Sequence, residues 1–187
     1  MHQMKPDIEA LAQSILTYSM DRLRMDPPSI DHPLPQTTLE ERAGQTITRE
    51  GLGGQRALEL FIDTLAPACI SEDHPRYLAF VPTAPSEVST LFDLVVGASN
   101  ICASSWLEGA GAIYAENQAL RWIADIAGLP EDAGGVFVSG GTAGNLSALV
   151  AARHDWRERS PENQRRRGLI ISSRGAHASV EQAAQVM

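Results

Sequence analysis

The residues best suited to chemistry lie in the glycine-rich segment 134–149, GGVFVSGGTAGNLSAL. Its apolar first part predicts a buried strand and its last part a helix, with a turn at Gly140 and Gly141 between them. We expect Thr142 to cap this helix, and its hydroxyl, together with the free N–H groups of the first turn, can hold a phosphate. A turn of this kind also occurs where no ligand binds, so the segment alone leaves both interpretations open.

His177 is the second candidate for chemistry, and it follows an apolar stretch at 168–173 that predicts another strand. If the two strands are neighbours in a parallel sheet, His177 returns to the sheet edge where the glycine turn lies and where open α/β sheets bind ligands. A histidine near a helix start is otherwise more often a surface or capping residue. A phosphate cradle with an imidazole beside it is the outline of a cofactor site.

A third segment, 74–85 (HPRYLAFVPTAP), combines aromatic residues, a threonine and three prolines. The prolines confine the backbone to an extended or turning path. The segment is therefore either a rigid connector or the wall of a substrate pocket, where a fixed backbone and few polar atoms set the shape.

Two common nucleotide sites do not fit the glycine turn. Its spacing matches neither G-x-x-x-x-G-K-[ST] nor G-x-G-x-x-G, and the only lysine of the chain is Lys5. A nicotinamide-dependent oxidoreductase would also need an acidic residue after the second strand to hold the ribose. Ser172, Ser173 and Arg174 stand there instead, so this class is disfavoured.

The elements that position these residues follow from hydrophobic periodicity. Helices are predicted at about 6–25, 55–70, 86–101, 110–127 and 142–156 and from about 176, strands at 134–138 and 168–173, and an extended, proline-rich arm at 27–48. A strand–helix–strand order predicts a parallel βαβ unit with a right-handed crossover. We therefore expect an α/β fold, with a helical N-terminal arm over residues 1–70 and the beginning of a larger α/β domain over 71–187.

The composition of the chain excludes some classes of binding partner. The 187 residues are 43% hydrophobic and 20% charged, which is typical of a soluble globular protein, and the net charge of −8 argues against a nucleic-acid partner. The apolar runs are too short to span a bilayer, and the N-terminus lacks a signal-peptide pattern. Two isolated cysteines, Cys69 and Cys102, indicate a reducing, cytoplasmic location. We predict no metal site.

Several segments together resemble the group II pyridoxal-phosphate-dependent amino acid decarboxylases, a family that includes aromatic-L-amino-acid, glutamate and diaminobutyrate decarboxylases. The similarity runs from about residue 70 to the end and rests on motifs in the family's order. They are His74-Pro75-Arg76-Tyr77, Phe80-Val81-Pro82-Thr83, Ser105-Trp106, Glu116, Trp122, Gly128-Leu129-Pro130, Ser139-Gly140-Gly141-Thr142-Ala143-Gly144-Asn145 and Ala176-His177-Ala178-Ser179-Val180-Glu181. The resemblance implies the first part of the large domain of a PLP-dependent transferase-like fold (aspartate aminotransferase, fold type I), preceded by a helical arm.

The resemblance also implies roles for single residues, with pyridoxal 5'-phosphate as the cofactor. Ala143 and Gly144 match the positions whose backbone contacts the cofactor phosphate, with Thr142 beside them, and many relatives carry serine in place of Gly144. His177 matches the catalytic imidazole that stacks on the pyridine ring near the substrate. The positions that match the substrate pocket are Phe80, Pro82 and Thr83.

The expected activity of the complete enzyme is decarboxylation of an L-amino acid. The family's Schiff-base lysine and its ring-nitrogen aspartate lie beyond these motifs, and Lys5 sits in the N-terminal tail, so we expect the chain to be the front of a larger enzyme. Two alternatives stay open, a carbon–carbon lyase on the same cofactor and an inactive module that supplies dimerisation and half of a site. The resemblance further implies a homodimer held partly by the helix at 6–25.

Overall fold

The structure is a computed structural model that describes residues 5–25 and 29–187. The chain divides into two compact units between Ile101 and Cys102. The first unit contains α1 to α4 and the second α5 to α7, with these bounds: α1 Pro6–Arg24, α2 Gln36–Ala43, α3 Gly54–Leu60, α4 Glu87–Ser99, α5 Trp106–Ile126, α6 Gly141–Glu158 and α7 Ala178–Val186.

The first unit is organised by α1 packing against the segment that follows Gly54. Pro6 occupies the first turn of α1, where its missing N–H costs nothing, and Met25 closes the helix in a left-handed conformation. The ring of Tyr18 meets that of Phe61 edge to face, with centroids 6.0 Å apart. The predicted helix over 55–70 is present in three parts: α3 continues through a π-helical turn at Phe61–Leu65 and a 3₁₀ turn at Ala66–Ala68.

The prediction of an extended arm over 27–48 is wrong in its middle. Residues 36–43 form α2, which begins after Pro35 and is supported by a 2.7 Å bond from the Gln36 amide to Glu40. A run of good helix formers between the proline-rich part and Gly44 explains the helix. Residues 27 and 28 of the predicted arm lie outside the described residues.

In the second unit, α5 begins four residues earlier than predicted because the Ser105 side chain caps its N-terminus. Ser105 accepts a bond from the backbone N–H of Glu108, and the Glu108 carboxylate accepts from the Ser105 hydroxyl at 2.8 Å. The helix bends at Gly109, where a Cβ would lie 2.6 Å from the carbonyl oxygen of Cys102. It ends as predicted, with Gly128 at a φ of +67°.

The two strands predicted at 134–138 and 168–173 are not confirmed. Both segments are non-helical, and within the described residues neither pairs with another segment in a ladder. A strand is defined by hydrogen bonds to a neighbouring strand, which a favourable sequence cannot supply by itself. Most of their large apolar side chains are more than half exposed: Val136, Phe137, Leu169 and Ile171.

Apolar residues are also exposed on α4. Val88, Phe92, Val95 and Val96 are all more than half exposed, a pattern typical of a helix that other elements cover. Among the described residues, no helix is long and apolar enough to cross a membrane.

Candidate functional site

The glycine turn presents a helix N-terminus with unused donors. Gly140 is the N-cap of α6, and its carbonyl accepts the N–H of Gly144 at 3.0 Å, which closes the first turn. Within the described residues, the N–H groups of Gly141, Thr142 and Ala143 have no hydrogen-bond acceptor and no side chain caps the helix. Three aligned amides at the positive end of the helix dipole are an anion-binding arrangement.

The space in front of these amides is open. A Cβ added at Gly140 or Gly141 would meet no atom within 4 Å. Gly140 has φ +157° and ψ 168°, a combination that is essentially restricted to glycine. The first turn of α6 also contains no acidic residue. The turn itself therefore presents neither a side chain at Gly140 and Gly141 nor an acidic residue in the first turn to an incoming phosphate.

Thr142 does not cap α6, and the roles of Thr142, Ala143 and Gly144 toward a phosphate stay predictions. The expectation that Thr142 caps the helix is wrong, because Gly140 is the N-cap and Thr142 lies inside the first turn. Its hydroxyl forms no hydrogen bond among the described residues and is free to donate to a ligand. The amide of Gly144 already closes the first turn, so what this residue contributes at the turn is mainly the lack of a side chain.

His177 is the N-cap of α7. Its Nδ1 accepts the backbone N–H of Ser179 at 3.2 Å and lies 2.8 Å from the Ser179 hydroxyl oxygen. The capping role that the sequence left open is thus present. Capping uses only Nδ1, however, and Nε2 has no partner among the described residues. The ring itself is exposed, which leaves its faces and Nε2 available to a ligand.

In the structure, two side chains that the sequence analysis did not single out, Asn145 and Ser179, connect the helix of the glycine turn to His177. The Asn145 amide, one turn into α6, donates to the Ser179 hydroxyl oxygen at 2.8 Å, and Ser179 in turn contacts His177. Ser179 is only 1% exposed. Both residues stand inside the two motifs quoted above. The signal that could have found Ser179 is its place two positions after a histidine at a helix start, where its backbone N–H can donate to the capping side chain of that histidine.

The predicted substrate residues lie in the first unit. Phe80 is 88% exposed and has a φ of +57°, a conformation that is unusual for a bulky residue. Thr83 is exposed and Pro82 half-buried. Such outliers are concentrated at functional sites, but a role of Phe80, Pro82 and Thr83 in substrate binding stays a prediction.

A second polar cluster, also missed from the sequence, lies in the first unit. The Arg22 guanidinium donates two bonds to the Asp73 carboxylate, at 2.6 and 2.8 Å. The hydrogen bond from Arg22 lowers the pKa of Asp73 against the opposing effect of burial, and the same bond raises the pKa of Arg22. Nearby, burial acts to raise the pKa of Asp31, but hydrogen bonds from Ser29 and Ser71 outweigh it and lower that pKa. In this cluster every charge has a partner.

Comparison with known proteins defines the class. The Rhodiola rosea 4-hydroxyphenylacetaldehyde synthase structure matches with a TM-score of 0.81 at 17% identity, over 98% of this chain and 41% of that one. This likeness shows the fold and agrees with the fold family that the resemblance implied. The sequence matches the family described as "Pyridoxal-dependent decarboxylase conserved domain" over residues 46–187. The chain belongs to this family.

Curated relatives agree with this assignment. Aromatic-L-amino-acid decarboxylase of Bacillus atrophaeus is 28% identical over 94% of this chain and 35% of that protein. L-2,4-diaminobutyrate decarboxylase of Acinetobacter baumannii is 26% identical over 75% of this chain and 31% of that protein. The chain thus spans about a third of the length of these relatives.

Proposed function

We propose that the protein containing this chain is a pyridoxal-phosphate-dependent decarboxylase that converts an L-amino acid to an amine and carbon dioxide. Family membership supports the reaction class and the cofactor. The single observation that carries the proposal is the first turn of α6, where three amides have no partner among the described residues and the N-cap is a glycine in a conformation that other residues rarely adopt.

The residues present fit the cofactor's phosphate. A phosphate dianion accepts several hydrogen bonds, and the amides of Gly141, Thr142 and Ala143 with the Thr142 hydroxyl offer four donors. Gly144 keeps the side of the helix slim. No acidic side chain of the first turn opposes the charge. We infer that this turn anchors the phosphate and so fixes where the rest of the cofactor lies.

When bound, pyridoxal phosphate supplies an electron sink for the bond that breaks at the substrate's α-carbon. His177 supplies a flat, exposed imidazole on the helix that packs against α6. We assign it to stacking on the cofactor ring and to orienting the substrate carboxylate through Nε2. Phe80, Pro82 and Thr83 are assigned to the substrate pocket on the resemblance alone.

The experiment that tests this proposal compares wild-type protein and His177→Ala in the intact, cofactor-loaded enzyme. We expect turnover to fall at least about 100-fold, since a positioned catalytic group typically contributes that much. Ser147→Ala, an exposed residue of α6, is the matched control and should keep wild-type turnover. Wild-type turnover of His177→Ala would remove His177 from the mechanism.

Product analysis separates decarboxylation from other reactions on the same cofactor. The relatives include proteins named as aldehyde synthases, and a carbon–carbon lyase would use the same anchor. A panel of L-amino acids should yield amine and carbon dioxide in equal amounts. Aldehyde with ammonia, or a carbon fragment larger than carbon dioxide, would replace the proposed reaction by one of these alternatives.

We also propose that the intact enzyme is a cytoplasmic homodimer. The dimer is implied by the family resemblance, with α1 as a contributor, and the location by the two free cysteines. Sedimentation of the intact enzyme should give twice the chain mass, and a monomer that still turns over would contradict the dimer.

A parallel β-sheet in the intact enzyme is likewise proposed from the family resemblance. Since this fold family is built on a parallel sheet, we propose that residues 134–138 and 168–173 form strands in the intact enzyme. Amide hydrogen exchange should then show both segments strongly protected there.

A further inference from the structure

We propose that Ser179 and Asn145 are positioning residues that fix which nitrogen of His177 carries its proton. The geometry concerns this chain alone. Its consequence for catalysis rests on the proposed function, in which His177 touches cofactor and substrate. The inference comes from the direction in which three hydrogen bonds must run.

The first bond fixes the state of Nδ1. The backbone N–H of Ser179 points at Nδ1 of His177 at 3.2 Å. A backbone amide can only donate, so Nδ1 must be the acceptor and cannot carry a hydrogen along this line. A neutral imidazole has one N–H, which must then lie on Nε2.

The second and third bonds support the same arrangement. The Ser179 hydroxyl oxygen lies 2.8 Å from Nδ1, and because Nδ1 accepts, the hydroxyl must donate to it. Its lone pairs then receive the Asn145 amide at 2.8 Å. The chain of donors runs in one direction, from α6 to the ring: Asn145, Ser179, His177.

Burial makes this direction hard to change. Ser179 is 1% exposed, so solvent is not available to replace a lost partner. Leaving a buried hydroxyl or amide without a partner is costly, which favours the one arrangement that satisfies every group. The network therefore does more than cap α7, since it also makes Nε2–H the only ring donor of His177.

The consequence is a fixed donor on an exposed ring. Nε2 has no partner among the described residues, and a substrate carboxylate needs a donor at the place where His177 is proposed to lie. Because Asn145 stands one turn beyond the free amides of α6, the helix that anchors the phosphate also sets the proton on His177. A rotated or reprotonated ring would present a lone pair to the carboxylate and repel it.

The test measures the tautomer directly, in the intact protein without cofactor. Long-range ¹H–¹⁵N spectra of ¹⁵N-histidine-labelled protein distinguish a protonated from an unprotonated ring nitrogen, and a His177→Gln sample assigns the signals. We expect an unprotonated Nδ1 and a protonated Nε2 in the neutral ring. A protonated Nδ1 in the neutral ring of the wild type would overturn the proposal, whatever the enzyme catalyses.

Asn145→Asp tests the direction of the chain. The new carboxylate accepts the proton of the Ser179 hydroxyl, so the hydroxyl no longer donates to Nδ1 and turns a lone pair toward it. The fraction of His177 rings that carry a proton on Nδ1 should therefore rise. Asn117→Asp, an exposed position on α5, adds the same charge without touching the network and should leave the His177 spectrum unchanged. An identical His177 spectrum in wild type and Asn145→Asp, with the fold intact by circular dichroism, would overturn the proposal.

Ser179→Ala gives the kinetic readout in the loaded enzyme. We expect kcat to fall about 10-fold, the effect of one lost hydrogen bond to a working group, while KM changes less than kcat. An unchanged kcat, in an enzyme that His177→Ala inactivates, would overturn the role of Ser179. If His177→Ala is itself fully active, the catalytic role proposed for His177 fails, while the tautomer measurement still decides this inference.

Discussion

The two polar clusters of this chain differ in what they leave unpaired. In the first unit, Arg22 and Asp73 pair with each other. The Asp31 carboxylate accepts hydrogen bonds from the hydroxyls of Ser29 and Ser71. In the second unit, the network of Asn145, Ser179 and His177 is closed on its buried side but open outward, at Nε2 and at three backbone amides of α6.

The difference teaches how a structural cluster can be told from a binding site. A cluster whose donors and acceptors all find partners within the fold has nothing left to offer a ligand, and its contribution is stability. A site holds its groups in place with some hydrogen bonds and keeps others free, because binding needs donors that the fold does not satisfy. Changes in the first cluster should therefore alter stability, and changes in the second should alter binding.

We call the first turn of α6 with Asn145, Ser179 and His177 the open site, and Arg22, Asp31 and Asp73 with their serine partners the closed cluster. The largest effect on the open site is expected from Gly140→Ala. At φ +157° and ψ 168° an alanine is strained by about 1–3 kcal/mol, so the turn should shift and misplace the three amides. If that energy is lost from binding, affinity for pyridoxal phosphate should fall roughly 5- to 140-fold, measured by spectrophotometric titration of the intact protein.

The matched control is Gly111→Ala on α5, where a Cβ meets nothing within 4 Å and the backbone is helical. It should leave affinity unchanged and the midpoint of thermal unfolding equal or higher. If Gly140→Ala binds as tightly as Gly111→Ala, the glycine turn is not the anchor and the contrast between the two clusters breaks.

The closed cluster should respond in the opposite way. Asp73→Asn removes the charge that Arg22 holds with two bonds. Because the two side chains are 17% and 33% exposed, solvent screens the pair and we expect a loss of only about 1–2 kcal/mol in the free energy of unfolding. Chemical denaturation measures this loss. Cofactor affinity, corrected for any unfolded fraction, should stay at the wild-type value, and a large fall in affinity would erase the distinction.

Acid should remove the difference between wild type and Asp73→Asn. Pairing with Arg22 lowers the pKa of Asp73 in the folded chain below its ordinary value of 3.8. A carboxyl group with a lowered folded pKa contributes stability above its unfolded pKa and loses that contribution as pH falls through its folded pKa. The two proteins should therefore differ most in unfolding free energy near neutrality and converge below about pH 3.8. A constant difference down to pH 3 would mean that packing, not charge, stabilises this cluster.

The sequence indicated the helix starts near Gly140 and His177 but not the pairing of Arg22 with Asp73, and the reason is the distance along the chain. Gly140, Thr142 and His177 were found because a helix start and its neighbours are set by residues close in the chain. Arg22 and Asp73 are 51 positions apart, and no local pattern specifies such a pairing. The same limit applies to the strands at 134–138 and 168–173, whose sequence favours extension while pairing depends on distant partners.

Two local errors had local causes. Ser105 was present in the sequence as an N-cap residue, and it starts α5 four residues earlier than predicted. Thr142 was expected at the N-cap because threonine is favoured there, but Gly140 alone can adopt the backbone conformation that the turn needs. Fold class and cofactor came from the order of motifs, which no single one of them specifies.

The smallest effect, and the most informative about chemistry, is expected from Gly144→Ser. A Cβ at Gly144 would lie 3.5 Å from the Val138 side chain, an ordinary contact, so serine fits without rearrangement. Its hydroxyl adds a donor beside a turn whose own Gly144 amide is already used by Gly140. One such bond is worth about 1 kcal/mol, which is about a fivefold gain in affinity for pyridoxal phosphate.

Gly144→Ala is the control for this change because it adds the same Cβ without the hydroxyl, with a larger gain in helix propensity than serine gives. Titration should show tighter binding for serine alone, while both variants unfold at an equal or higher temperature than wild type. If Gly144→Ser and Gly144→Ala bind pyridoxal phosphate equally well, the phosphate lies beyond reach of residue 144. Its contacts would then be with Gly141 and Thr142. A gain for serine would instead extend the anchor along α6 toward Asn145, the residue from which the proton on His177 is set.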